Sequence, residues 1–440
     1  MGIQQILLLR SSVILQMKEY LARLPDEILR LIYLAKDISE QKGFKSYLIG
    51  GFVRDLMLGV SNLDLDICVE GEGIKFAQLL CEKLYAKLIT HKRFGTATII
   101  IKPHLKIDIA TARKEFYPEP AALPVVTSGS LKDDLARRDF TINAMALGIT
   151  ADEFGRPVDL FGGQEDLGDK KIRILHKLSF IDDPTRILRA IRFEQRYDFH
   201  IEADTLLHLK QAVRIKMIDK VQPQRLRDEL ILMLKEKSPF GCIQRLEGLT
   251  GLDFVNKNLR FSPKSRRIFK SVKVHMEWFL CDHHHRRHLD NWLIYFMALL
   301  EPLSLHQIKS VCNKFVFRKG DEKRIITYKE RCNRCIRQLS KKVIKPSMIF
   351  KMLEPLSYEV IILILAKSSN KNLKVYIRDF LSLHHGTAIS VSGHDLRMLG
   401  LKPGPAYQRI FKAVLNAKLD GLVSTKEEEL NYVKKMLRIK

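Results

Sequence analysis

The chain has 440 residues, of which 46% are apolar, 28% charged and 8% aromatic. That is a globular composition: it excludes a disordered, collagen-like or disulfide-scaffold protein and leaves length for about two to four domains. Lys and Arg together number 75 against 50 Asp and Glu, a formal charge of +25, which asks for a polyanionic partner, either nucleic acid or an anionic membrane surface. No stretch approaches the roughly 18 consecutive apolar residues of a membrane span. The Ile6-Leu7-Leu8-Leu9 run is cut by Arg10 and lacks the basic leader and cleavage site of a signal peptide. Seven scattered cysteines, an odd number, predict reduced thiols in a cytoplasmic protein. Cys332 and Cys335 form a lone C-x-x-C without the second pair of a zinc ribbon. Nucleic acid is therefore the leading partner.

In chain order, residues 13 to 41 read as a helix, with Leu21, Leu24, Ile28, Leu31 and Leu34 at helical spacing. Between 46 and 150 the pattern changes to short strands and turns. Ser46 to Gly50 reads as a strand, Phe52 to Leu58 as a helix and Leu63 to Val69 as an alternating strand. Thr96 to Ile101 and Lys106 to Thr111 flank a Pro103-His104-Leu105 turn and predict a hairpin. Tyr117 to Ser130, rich in Pro, Gly and small residues, reads as a loop. From about residue 180 helical period takes over, with breaks at Ser238-Pro239, Ser262-Pro263, Lys345-Pro346 and Leu401 to Pro405. No internal repeat is visible. The expected fold class is an α/β head, a small mixed sheet with helices, followed by an all-α remainder. The expected segments are a helical lead-in (1–45), the head (46–150) and three helical parts (151–235, 236–335 and 336–440).

Several clusters carry chemistry. Gly50-Gly51 between a strand and a helix lets backbone N–H groups approach a phosphate that Arg54 also reaches, although a plain tight turn explains the pair equally. Asp64 and Asp66 stand two apart in a strand, so both carboxylates point to one side. They repel each other unless a cation lies between them, and Mg²⁺ suits hard oxygen ligands. Two solvated acids on an outer face is the plain alternative. Asp108, mid-strand in Lys106-Ile-Asp-Ile-Ala110, is a candidate third carboxylate for two-metal phosphoryl transfer, or else an exposed strand acid.

Asp183-Pro184 reads as a helix start. Arg186, Arg189, Arg192 and Arg196 then follow on one helix face, with Ile187, Leu188, Ala190, Ile191 and Phe193 on the others. With only Glu194 near, such a row repels itself unless it meets an anion, and phosphate is the obvious one. Asp183 and Arg186, one turn apart, set an acceptor beside a donor. That pair complements the amino group and ring nitrogen on the pairing edges of cytosine and adenine, whereas uracil and guanine present the reverse order. Residues 254 to 276 add Lys257, Arg260, Lys264, Arg266, Arg267, Lys270 and Lys273 with no acid between them. The His283 to His288 run has no ligand partner at metal spacing except Asp282 and is not read as a metal site.

Gly50 to Asp55 with Asp64-x-Asp66 resembles the first motif of class II tRNA nucleotidyltransferases, which share a polymerase-beta-like head with bacterial poly(A) polymerases. Four further segments resemble that family's later motifs in order: Arg137 to Ala144, Asp159 to Gly163, Asp182 to Phe193 and Gln224 to Glu229. The resemblance spans roughly residues 46 to 230. It implies that Asp64 and Asp66 are catalytic and bind two Mg²⁺ ions, and Asp108 joins the expected catalytic set on its strand position alone. It also implies nucleotide contacts at Gly50, Gly51, Arg54, Arg138, Asp139, Asn143, Asp183, Arg186, Arg189 and Arg192, and a base-reading role for Asp183 with Arg186. This sequence has Asp182-Asp183 where many relatives have Glu-Asp. The implied reaction is in-line attack of a tRNA 3′-hydroxyl on the α-phosphate of ATP, with CTP as second candidate, to mature or repair the CCA end. Residues 151–235 would be a neck that selects the nucleotide, 236–335 an RNA-binding body and 336–440 a tRNA-binding tail. Ser392 to Leu396 and Gly400 to Pro405 resemble that family's tail, although a helix-loop-helix without a ligand reads as well. The Tyr117 to Ser130 loop resembles that of longer relatives able to add A. No membrane and no obligate protein partner are expected. A poly(A) polymerase and a catalytically inactive RNA-binding relative are the alternatives.

Overall fold

The computed structural model describes residues 19–60, 64–103, 105–282 and 289–438. The His283 to His288 run, residues 13–18 of the first expected helix, Leu63 and His104 lie outside the described residues. The chain divides into two compact units, Met1–Glu229 and Leu230–Lys440. The expected class holds, a mixed sheet with helices followed by a helical region.

In the first unit the strands are β1 (Lys45–Ile49), β2 (Leu65–Glu70), β3 (Lys87–His91), β4 (Thr96–Lys102), β5 (Leu105–Thr111), β6 (Arg113–Phe116), β7 (Val125–Ser128), β8 (Met145–Gly148), β9 (Pro157–Asp159) and the short parallel pair β10 (Lys171–Ile172) and β11 (His200–Ile201). Seven of them form one sheet in the order β3-β4-β5-β2-β1-β8-β9, and β6 pairs with β7 in a separate ribbon. Within the large sheet only β2 and β5 run parallel. Leu65, Ile67, Ile107 and Ile109 are buried, while Asp66 and Asp108 alternate with them on the other face, as a period of two requires.

Helix α1 (Asp26–Lys42) buries Ile28, Leu31, Ile32, Ala35 and Ile38 on one stripe, each large side chain contributing about 2 kcal/mol. It ends at Gly43 in the left-handed region, where the Phe44 N–H reaches the Ser39 carbonyl at 2.9 Å. Pro25 is extended and breaks the helix expected from 13 to 41, because its ring removes a backbone donor and fixes φ. The loop expected over 117–130 is also corrected. Val125 to Ser128 is a strand held by backbone pairing to Arg113–Phe116, a contact that composition does not display. Further α-helices of this unit are α2 (Gly51–Met57), α3 (Gly73–Leu84), α4 (Leu131–Ala136), α5 (Gly163–Gly168), α6 (Ser179–Asp182), α7 (Thr185–Tyr197) and α8 (Ala203–Arg214), and α9 (Pro223–Lys235) begins in it and ends beyond residue 229.

The second unit is helical. Helices begin at Pro239, Pro263 and Pro346, so each predicted Ser-Pro or Lys-Pro break is a helix start with proline in its first turn, where its missing N–H costs nothing. Asn291–Leu299 and Tyr358–Lys367 are buried almost all round and form the core. Buried Glu301 accepts hydrogen bonds there from Lys367 Nζ at 2.8 Å and from the Tyr328 hydroxyl. Cys332 and Cys335 are buried free thiols on Lys319–Leu339. At the chain end, Leu396, Ile410, Val414 and Val433 share a small core. Buried Glu429 closes it by accepting from the N–H groups of Ser390 and Val391. No helix among the described residues is long and apolar enough to cross a membrane.

Candidate active site

A cavity of about 840 Å³ opens in the first unit, lined by eight arginines and seven carboxylates. Asp64 and Asp66 both face it, at and just before the start of β2. Asp108 stands opposite Asp66 in the parallel β2–β5 register. It is not among the cavity-lining residues, and its carboxylate accepts from Thr98 Oγ1 at 2.6 Å and Lys106 Nζ at 2.5 Å. Lys106 also stands 3.9 Å from Asp64. Burial pushes the Asp66 carboxyl up to about 6, with Asp108 and Asp64 adding to the rise and Arg138 and Lys106 opposing it. Two hard carboxylates facing one cavity from the same strand end fit a divalent cation. Among the described residues no group of three or more His, Cys, Asp or Glu forms a metal cage. The chain therefore offers a partial ligand set, the kind Mg²⁺ completes with water and substrate phosphates.

Gly50 is explained by packing as well as by its turn. Its φ is +65°, and a Cβ there would come within 2.3 Å of Arg138 Nη1. Arg138 crosses at that point because Asp134 holds Nη2 at 3.0 Å and the Asn143 carbonyl holds Nη1 at 3.2 Å. Gly51 and Arg54 also line the cavity. Arg54 is buried, gives hydrogen bonds to Asp55 (2.8 Å) and Asn143 Oδ1 (2.5 Å), and lies over the rings of Tyr197 and Phe193. Asn143 in turn donates to Asp139 at 2.9 Å. The first two motifs are thus one hydrogen-bonded network.

The arginine row on α7 faces the cavity as one set. The anion that the row needs is supplied in part by carboxylates of the protein itself. Arg189 forms a bond of 2.6 Å to Asp139 and one of 3.2 Å to Glu229, and Arg192 stands 3.6 Å from Glu229. These acids lie 50 and 40 residues from Arg189 in sequence, so local spacing hides them. Burial works to raise the Asp139 carboxyl, but Arg189, Asn143 and Arg186 outweigh it and hold it at about 2. Arg189 is raised in return, chiefly by Asp139.

Asp183 and Arg186 line the same cavity. Asp183 is extended and accepts from the Thr185 N–H at 3.0 Å, the capping contact expected of it, and it also meets Arg225 at 2.8 Å. Arg186 is buried and donates to Ser179 Oγ and to the Arg137 carbonyl.

The third motif is structural. Asp159 accepts from the N–H groups of Phe161, Gly163 and Gln164 at the start of α5, and a Cβ on Gly163 would sit 2.4 Å from the Thr141 carbonyl. Glu115, Tyr117, Arg137, Thr185, Arg225, Asp228 and Glu229 also line the cavity and were not among the expected site residues. The fifth motif flagged the last three. Glu115 and Tyr117 arrive through the β6–β7 ribbon, and no local signal marks them. Burial pushes the Tyr117 hydroxyl up to about 12, against the lowering effect of Arg186.

Residues 46–173, which carry the sheet and the paired aspartates but not the arginine helix, match the family model described as the poly A polymerase head domain. The chain is 35% identical over 435 residues to an A-adding tRNA nucleotidyltransferase of Geobacter sulfurreducens, covering 98% of this chain but 49% of that protein. It therefore spans about half the length of that relative. It is 30% identical over 425 residues to the A-adding tRNA nucleotidyltransferase of Halalkalibacterium halodurans, covering 95% of this chain and 94% of that one. Among solved structures it resembles an apo CCA-adding enzyme, with a TM-score of 0.77 at 34% identity over 95% of this chain and 98% of that one. It also resembles the Thermotoga maritima CCA-adding enzyme complexed with tRNA, with a TM-score of 0.72 at 33% identity over 96% and 98%. The chain belongs to the tRNA nucleotidyltransferase family.

Proposed function

We propose that this protein adds A to the 3′ end of tRNA without a nucleic-acid template, using ATP. The observation that carries this reading is one cavity that collects Asp64, Asp66, Asp183 and Arg186. Two relatives named as A-adding enzymes support A as the nucleotide, and solved neighbours complexed with ATP and with CTP support nucleoside triphosphates as the substrate class.

Asp64 and Asp66 would hold Mg²⁺, which when bound activates the RNA 3′-hydroxyl and neutralises charge on the departing pyrophosphate. Arg54, Arg138, Arg189 and Arg192 present cationic donors to the triphosphate, and Asp139, Asn143 and Glu229 hold those guanidinium groups in place. Asp183 accepts from the base amino group while Arg186 donates to the ring nitrogen, so adenine and cytosine satisfy the pair and guanine and uracil leave it unpaired. The helical segments 236–335 and 336–440 grip the tRNA through its phosphates. The buried thiols of Cys332 and Cys335 and the tRNA substrate support a cytoplasmic location.

The test uses purified full chain, Mg²⁺ and tRNA ending at the discriminator base, at C or at CC, each with one labelled triphosphate. A single A on the CC-ended tRNA is the expected result. Complete CCA synthesis corrects the nucleotide assignment, and long A tails replace it with poly(A) polymerase activity. No incorporation overturns the enzyme reading in favour of an RNA binder.

A further inference from the structure

Behind the pair Asp183 and Arg186 stand two buried hydroxyl groups. Ser179 Oγ, fully buried in α6, accepts from Arg186 Nη1 at 2.6 Å, and the Arg137 carbonyl accepts from Nη2 at 2.7 Å. A guanidinium carries five N–H donors in one rigid plane. With each terminal nitrogen tied to the protein, the plane is fixed and its remaining donors keep one direction. Asp183 is treated alike. The Thr185 N–H at 3.0 Å, the Thr185 hydroxyl at 2.6 Å and Arg225 Nη2 at 2.8 Å all meet Oδ1. That leaves Oδ2 as the acceptor for a ligand.

We infer that Ser179 and Thr185 are positioning residues for base choice, fixing which guanidinium edge of Arg186 and which oxygen of Asp183 meet the incoming base. This rests on the base-reading role proposed above. The physical reason is that neither side chain changes its chemistry when it rotates. A carboxylate accepts and a guanidinium donates in every rotamer, so only their fixed places encode the order of acceptor and donor. Once Arg186 swings, its donors reach a keto oxygen at the place where an amino group belongs, and a base with the reversed order becomes tolerable.

Inosine triphosphate is the probe, because it differs from ATP only on that edge: a 6-keto oxygen and N1–H replace the 6-amino group and bare N1. The full chain is assayed on CC-ended tRNA for the ratio of kcat/KM with ATP to that with inosine triphosphate. Ser179→Ala and Thr185→Val remove one hydroxyl each with little change of shape. Both are expected to lower the ratio on the order of tenfold, the weight of one hydrogen bond to a charged group. Thr185→Ser is expected to restore it, a rescue that a merely structural loss would not track. Ser179→Cys, with a weaker acceptor of similar shape, is expected to fall between wild type and Ser179→Ala, and it stands in should the alanine variant fail to fold. Arg186→Ala and Asp183→Ala serve as references. Should they collapse the ratio while the Ser179 and Thr185 variants keep it, the positioning role is wrong and the base-reading role stands. Should the references also keep the ratio, base reading fails and the positioning role with it.

Discussion

Two basic regions of this molecule look alike in sequence and differ in structure. On α7 the arginines face a cavity and are met by acids of the same unit: Asp139 and Glu229 hold Arg189, and Glu229 stands by Arg192. In the second unit, the run from 254 to 276 has no acid within it before Glu277, and among the described residues only some of its cations find one. Arg260 pairs with Asp253 at 2.7 Å, Arg266 stands 3.6 Å from Glu247, and Lys264 stands 3.4 Å from Glu301. The first arrangement fixes direction, because each guanidinium is locked by a partner. The second supplies charge in water, where geometry is loose and salt screens it. Precise chemistry belongs to the first kind of region and grip to the second.

The sharpest way to break that comparison is at the carboxylates. Asp64→Asn or Asp66→Asn is expected to reduce single-turnover incorporation on the order of a thousandfold or more, while tRNA retention on a filter stays near wild type. Parallel loss of both would mean that these acids serve folding and not the reaction.

Next in size, Asp139→Asn leaves half-buried Arg189 without its strongest partner. A loss of about 2 kcal/mol is expected in urea unfolding, the weight of a hydrogen bond between charged groups that solvent partly screens. The pH dependence has a definite sign. The Asp139 carboxyl lies at about 2 in the fold against 3.8 ordinarily, so its contribution is fully present above pH 4 and fades as pH falls toward 2. The gap between wild type and variant should therefore close over that window. A constant gap would point to a shape defect in place of a missing charge pair.

Smaller effects are expected in the second unit. Replacing Lys257, Arg267 or Lys273 by Ala should lower the slope of log tRNA affinity against log salt by roughly one for each phosphate no longer neutralised. The rate of a bound complex should hold. An unchanged slope in all three would remove this run from the RNA-binding surface. Smallest of all is Glu27→Ala, which breaks the exposed pair to Lys102, both side chains about half exposed. Thermal unfolding should register at most about 1 kcal/mol, and a larger loss would undo the argument that solvent weakens such pairs.

What the sequence made legible was local. Asp64 and Asp66 announce a shared side by spacing of two, and the arginine row announces a shared face by spacing of three and four. Each predicted Ser-Pro or Lys-Pro break in the second unit is a helix start. The Pro25 break was equally local, and the apolar periodicity around it masked it. The rest depended on distance along the chain. Asp139 meets Arg189 across 50 residues, and Glu115 and Tyr117 reach the cavity only because Val125–Ser128 pairs with Arg113–Phe116. A pattern of residue types does not carry such pairings, so the cavity's chemistry could be named while its inner counterions stayed hidden.

The close approach of Gly50 and Arg138 reaches beyond this one chain. A side chain at position 50 must both adopt a left-handed backbone and displace a guanidinium lying 2.3 Å from its first carbon. Relatives that abandon the glycine should therefore carry a shorter residue at the position of Arg138, and the two sites should drift through evolution as a couple, although they stand far apart in the chain.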